Sequence, residues 1–349
     1  MRRNSKRALG AIGAAGAALA FAAGPALADP GEFRPLTGTG SDTTQYVLGG
    51  LGEAVAIGGS KAIGSYDAIG SATIQTRADG PQFVRPNGSG NGVKALTASI
   101  NPTGTYRWNG VDVTGQLDFA RSSSGPSTQG SALTYIPFAK DAVSYAYASF
   151  GDASVPSWLT LDDLAAIYKG LVTTYQDNNG ATRQYVPVLP QTGSGTRAFF
   201  LQQIGVSETQ VAWITDTVQE NDGAEIDAIG ELVPFSVASW VAQSNHVVPN
   251  TIDDNIVVLG GIDTDFIGVA PAVRFAKQNA AFPVTRLVYN VVETSRLTGQ
   301  NSADVLLRQT FAGAQSAVCA ATDVIAAYGF GTIPNCGDTT TYRSGYVTP

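Results

Sequence analysis

The stretch Leu36-Thr37-Gly38-Thr39-Gly40-Ser41-Asp42-Thr43-Thr44-Gln45-Tyr46-Val47 decides how the chain reads. A strand-like segment runs into a loop of glycines and hydroxyls, and the loop runs into a helix. Asp42-Thr43-Thr44-Gln45 has an N-cap pattern with Gln three residues on. Tyr46, Val47, Gly50, Leu51, Ala54 and Val55 then recur at helical spacing, although Gly49, Gly50 and Gly52 weaken that helix. The pattern returns at Gly88-Ser89-Gly90-Asn91-Gly92 before a helix over 91–99, and at Gly193-Ser194-Gly195-Thr196 before one ending at Gly205. Ser122-Ser123-Ser124, after strand-like Leu117–Arg121, is a fourth loop of this kind.

Such loops suit anions. The first N–H groups of a helix lack intrahelical partners, and the helix dipole adds partial positive charge there. Glycine allows close backbone approach, and Ser and Thr add hydroxyl donors. Each loop alone also fits an ordinary cap or turn. Four at strand–helix junctions imply one shared cleft at the carboxyl ends of the strands.

Outward from these loops, strands and helices alternate. Ala142–Tyr147 and Leu287–Val292 read as strands, and Tyr185–Leu189 is extended with Pro187 marking an edge. Thr160-Leu161-Asp162-Asp163 starts a helix that Gly170 ends, and residues 302–312 and 316–328 have helical patterns. Residues 58–87 are Gly-rich and give no assignment. The interleaving is the signature of an α/β fold.

The chain has 349 residues, 44% of them hydrophobic and only 14% charged, which suits one large or two smaller packed domains and excludes a disordered chain. Arg2, Arg3, Lys6 and Arg7, the apolar stretch Ala8–Ala23 and Ala26-Leu27-Ala28 form an export signal, with cleavage expected after Ala28. That segment holds four of the 21 basic residues and none of the 28 acidic ones, so the remaining 321 residues carry 17 against 28, a net −11. This disfavours nucleic acid and anionic membranes. No Cys near the cleavage site suggests a lipid anchor, so a secreted or periplasmic product is expected. Cys319 and Cys336 are the only cysteines, and an exported setting permits a disulfide between them; two free thiols are the alternative. With those two Cys and the single His246, neither a metal site nor any other cofactor is expected.

The ordered motifs resemble the phosphate-binding proteins of ABC transporters, which have the type II periplasmic-binding-protein fold. Leu36–Ser41 resembles the opening strand and loop of that family, and Gly88–Lys94 its second loop. Leu117-Asp118-Phe119-Ala120-Arg121-Ser122-Ser123 resembles "VDF-(G/A)-x-S-D". Leu161–Gly170 resembles "L-x-x-I-(Y/F)-x-G", and Gly193-Ser194-Gly195-Thr196 resembles "D-G-S-G-T". The match covers residues 36–205, and beyond it only Phe282-Pro283-Val284 suggests the return crossing.

The resemblance implies an α/β, two-lobed protein with a ligand cleft between lobes joined by two crossover segments. Domain I would comprise 29–140 and 285–349, domain II 141–284. A small oxyanion, phosphate foremost, would close the lobes, with an ABC permease as partner and a monomer as the functional unit. Site positions carried over are Gly40, Ser41, Asp42, Thr43, Ser89, Ser122, Ser123, Ser194, Gly195 and Thr196. Three positions depart. Ser123 stands where the family has a ligand-contacting Asp, Pro190 where it has an Arg, and Asp42-Thr43 where it has Thr-Phe. Asp42 is expected to supply the missing acceptor, and Arg121 or Arg197 the missing cation. The plainer readings are an N-cap for Asp42 and salt bridges for the two arginines. Which anion binds stays open on these departures.

Enzymatic activity is not expected, because no G-x-S-x-G elbow occurs and His246 is the only imidazole. A secreted phosphatase-like hydrolase on the same cleft is the rival reading, and an extracellular binding protein without a transporter is another. Asp162-Asp163 reads as helix N-terminal charge. Asp253-Asp254 and Asp263/Asp265 read as loop residues, with a weak calcium site the alternative.

Overall fold

The computed structural model describes residues 29–349 except 254, 265–267, 271 and 275–276. The expected export signal, Asp254 and Asp265 therefore lie outside the described residues. Strand β1 (Leu36–Gly40) leads through α1 (Gln45–Ala54) to β2 (Ile63–Ser65), and α2 (Ser89–Ile100) leads to β3 (Phe119–Ser122). Then come β4 (Leu133–Ala148), α3 (Leu161–Tyr168), β5 (Val186–Pro187), α4 (Gly195–Gln203), β6 (Glu231–Ser236), α5 (Val237–Ser244) and β7 (Val257–Leu259). The chain returns on β8 (Thr285–Glu293) and finishes with α6 (Ser302–Phe311), α7 (Ala317–Ala320), α8 (Thr322–Ala327) and β9 (Arg343–Ser344).

These strands form one nine-stranded mixed sheet in the order β5-β6-β4-β8-β3-β1-β2, with β7 and β9 also pairing with β4. The β2-β1-β3 part is parallel, and β8 runs antiparallel to both β3 and β4. All five residues of β1 are buried, as a strand covered on both faces requires. A Cβ on Gly38 would overlap the ring of Phe119, and one on Gly92 would overlap Gly40. The second glycine lets the first turn of α2 sit against the end of β1.

The 16-residue strand β4 spans roughly 50 Å and joins the two lobes. Its first part pairs with β8 from Leu133↔Glu293 to Ala142↔Thr285, and its second with β6 from Val143↔Ser236 to Ala146↔Val233. The sequence pattern marks only 142–147 as strand because Pro137 interrupts it. Pro137 is accommodated beside a register shift between Val288 and Tyr289.

Four apolar clusters divide along this strand. Two draw on residues 36–139 and 288–347, centred on Leu36, Phe119 and Phe311 and on Leu96, Trp108 and Tyr289. The other two draw on residues 142–284, around Tyr168, Phe200 and Phe235. Ala238 is the one residue of 142–284 named among the first pair. Each large apolar side chain buried this way contributes about 1.5–3 kcal/mol.

Several local readings find their mechanism. Thr160 and Asp163 form a reciprocal capping box at α3, each backbone N–H donating to the other's side chain at 3.0 Å. Cys319 and Cys336 are disulfide-bonded. Two readings change. The helix expected over 316–328 breaks at Ala321 (φ −86°, ψ 48°) into α7 and α8. The residue at the N-cap of α1 is Thr44, without a side-chain cap bond, and not Asp42.

Candidate functional site

The four hydroxyl loops meet at one junction between the lobes. Ser41 follows β1, Ser89 opens α2 and Ser123 follows β3, so the carboxyl ends of parallel strands bring them together. Ser41 Oγ donates to Ser123 Oγ at 3.1 Å, and the Ser89 and Ser123 hydroxyls lie 3.2 Å apart. Ser123 N–H donates to Ser89 Oγ at 2.9 Å. From the other lobe Gly195, at the start of α4, presses on this cluster. A Cβ there would overlap the Oγ atoms of Ser123 and Ser89. Gly90 N–H donates to Gly193 O at 3.1 Å, and Gln191 Nε2 to Asn87 Oδ1 at 2.8 Å, so the two rims are stitched together.

Behind the serines sits a buried guanidinium. Arg286, on β8, donates from Nη2 to Thr43 Oγ1 at 3.1 Å and to Thr196 Oγ1 at 2.8 Å. Both hydroxyls pass their own protons to Glu220 Oε1, at 2.8 Å from Thr43 and 2.5 Å from Thr196. Thr196 N–H, in the first turn of α4, donates to the same oxygen at 3.3 Å. Arg286 is anchored by Asp141, which accepts from Nε at 3.0 Å and from Nη2 at 2.8 Å. Asp141 also accepts from Ser236 Oγ and from Ala238 N–H in the first turn of α5, each at 3.0 Å. Phe199 covers the guanidinium, its ring centroid 5.5 Å from Cζ. Arg286 Nη1 and Glu220 Oε2 are buried without a partner among the described residues.

Asp42 lies beside this group. Its carboxyl accepts from Gln45 Nε2 and Gln219 Nε2 at 3.1 Å and from Asn221 Nδ2 at 2.9 Å. Burial first, and the Glu220 carboxylate second, push its carboxyl well above the usual carboxylate range. Two of those donors come from the opposite lobe, so Asp42 fastens the lobes through its amide cage.

The remaining expected residues fall around the junction. Gly40 turns the chain out of β1 with φ 128°, and its carbonyl accepts from Gly88 N–H at 3.1 Å. Arg121 is fully buried under the first loop, with Nε on Ser41 O at 3.1 Å and Nη1 on Ser65 Oγ at 2.9 Å. Burial lowers its guanidinium to about 10. Ser122 turns its hydroxyl to Ser124 O. Ser194 caps α4 by accepting from Arg197 N–H at 3.0 Å. Arg197 points outward instead, to Glu208 at 2.5 Å and to Pro190 O at 3.1 Å. It lines a cavity of about 530 Å³ at the cleft mouth with Ser124, Phe199 and Glu208. The guanidinium bonded to the Thr43 and Thr196 hydroxyls is that of Arg286, while those of Arg121 and Arg197 are bonded elsewhere.

Sequence motifs do not flag Arg286, Glu220, Asp141 or Asn221. Asp141 and Arg286 nonetheless carry a signal, because an acid and a base inside two largely apolar strands need each other once buried. His246, the only imidazole, occupies an exposed turn after α5 at φ 54° and contacts Asn250. Among the described residues no group of three or more Asp, Glu, His or Cys is arranged to hold a metal ion.

A family model described as the PBP superfamily domain matches residues 36–238. No curated protein matches the sequence. An ABC-type phosphate transport receptor from Vibrio cholerae aligns at 15% identity and a TM-score of 0.51, over 85% of this chain and 100% of that one. A human phosphate binding apolipoprotein aligns at 14% and 0.53, over 86% and 91%. A structure described as a DING protein aligns at 15% and 0.54, over 86% and 91%. At such identities the likeness is one of fold.

Proposed function

The chain belongs to the PBP superfamily, and on that premise we propose that it is an exported solute-binding protein whose two lobes close over a phosphate-type oxyanion. One observation supports the reading above the others. A buried guanidinium, two threonine hydroxyls and the first turn of α4 converge between the lobes, with Arg286 Nη1 without a partner among the described residues. Fixed N–H, O–H and guanidinium donors in a dry site recognise an oxyanion without net positive charge on the protein. The serine cluster and Gly195 then set how closely the lobes approach.

The lobes would be 29–140 with 285–349, and 141–284, with crossings at β4 and at the start of β8. The apolar clusters divide at the same places. The reading is of a binding protein, and the exposed turn that holds the single imidazole, bonded to Asn250, supports it. The protein would act as a monomer that delivers its ligand to an ABC-type permease. The basic and apolar segment before Ala28 directs export, and the disulfide accords with an oxidising compartment.

Thermal-shift screening against phosphate, sulfate, phosphonates and small sugars tests this. Phosphate is expected to raise the melting temperature, as a ligand of the folded state must. A shift with sugars and with none of the oxyanions would refute it. A phosphomonoester assay that detects no turnover separates binding from hydrolysis.

A further inference from the structure

We propose that Glu220 is an intramolecular ligand of the oxyanion cradle, and that an external oxyanion binds by displacing its carboxylate. This rests on the cradle assigned above. Three donors converge on Glu220 Oε1: the hydroxyls of Thr43 and Thr196, at 2.8 and 2.5 Å, and the Thr196 N–H at the head of α4, at 3.3 Å. Hydroxyls and a helix-terminal amide are the donor set that holds an oxyanion. Arg286 reaches the carboxylate only through the two hydroxyls, which accept its protons and hand on their own. An incoming oxyanion would take the same three donors and meet Arg286 Nη1 as well.

The grip on Glu220 is incomplete. It is 1% exposed, yet its second oxygen has no partner among the described residues. The residue belongs to neither a helix nor a strand, lying between the short strand Thr217–Val218 and the turn Gly223–Glu225. Glu220 also lines a cavity of about 70 Å³, together with Tyr46, Gln219, Asp222 and Thr251. That exceeds the share of liquid volume of two waters, about 30 Å³ each, and offers the displaced carboxylate a place. Asp42 also lines this cavity.

A competitor and a ligand contact make opposite predictions. If Glu220 competes, removing its charge strengthens every oxyanion that fits, by similar factors. If it accepted a proton from bound hydrogen phosphate, its loss would weaken phosphate and favour sulfate. The test is calorimetric titration of inorganic phosphate and of sulfate into the wild type, Glu220→Ala and Glu220→Gln. Far-UV dichroism checks folding, and the near-isosteric Gln variant decides the matter should the Ala variant misfold.

The expected result is a gain of at least tenfold for phosphate in both variants, accompanied by a similar gain for sulfate. Phosphate affinity that falls, or stays within twofold of wild type, overturns the competitor role while leaving the cradle intact. Absence of saturable phosphate and sulfate binding in all three proteins overturns the cradle and the competitor role with it.

Discussion

The second lobe presents two helix N-termini to the junction, and each receives one carboxylate. At α5 the acid is Asp141, whose oxygens take Arg286, Ser236 and the Ala238 amide. At α4 the acid is Glu220, which gathers its bonds on one oxygen and leaves the other without a partner among the described residues. Asp141 comes from the middle of β4, opposite Arg286 in the register with β8, and the pairing with β6 begins two residues on at Val143. Glu220 comes from an irregular segment. The same local electrostatics therefore yields a fixed structural ion pair in one place and an exchangeable contact in the other. Saturation of both oxygens and rigidity of the backbone separate the two.

The largest effect should come from breaking the saturated site. Asp141→Ala leaves Arg286 buried without its counter-ion, and the expected cost is about 3–5 kcal/mol in denaturant unfolding. A loss below about 1 kcal/mol would show that Asp141 and Glu220 are alike after all.

A third carboxylate sharpens the contrast, because it is buried without a saturating set of donors. Burial raises Asp67 to about 7, with Arg121 opposing and Asp29 adding to the shift. The folded state therefore binds this proton more tightly than the unfolded chain does. The resulting stability is full below about pH 4 and is lost as pH rises to about 7, on the order of 4 kcal/mol across the window. Asp67→Asn should flatten that part of the stability curve, and an unchanged slope would contradict the assignment. The smallest effect is expected at Arg197→Ala. Its partner Glu208 has a largely exposed side chain, so the pair is worth less than about 1 kcal/mol, and oxyanion affinity should change less than threefold.

The two carboxylates also mark where sequence reading stops. Local chemistry is legible: the Thr160–Asp163 capping box and the loops at Gly38–Thr43, Gly88–Gly92 and Gly193–Thr196 act through neighbours in the chain. Their meeting between lobes follows from strand–loop–helix order. Arg286 lies 90 residues from Thr196 and 145 from Asp141, within a strand that carries no motif. Its pairing depends on the antiparallel register of β8 on β4, and Pro137 obscures the length of β4 in the pattern. Glu220 has no local signature at all, because its partners belong to two other loops. Arg121 and Arg197 stand beside the hydroxyl clusters in sequence, yet their side chains turn to Ser41 O and Ser65 and to Glu208. Adjacency in the chain does not fix where a long side chain points.

The proposed function assigns the cation of the site to Arg286. Arg286→Lys keeps a charge for Asp141 but offers one nitrogen in place of Nε on Asp141, Nη2 on both threonine hydroxyls and the buried Nη1. Titration of phosphate into the wild type and this variant, with the Glu220→Gln background as a second pair, measures the claim directly. The expected result is saturable binding with one site per chain and at least a tenfold loss on changing Arg286 to Lys, with the melting transition retained. Equal phosphate affinity with Arg or Lys at position 286 would contradict it.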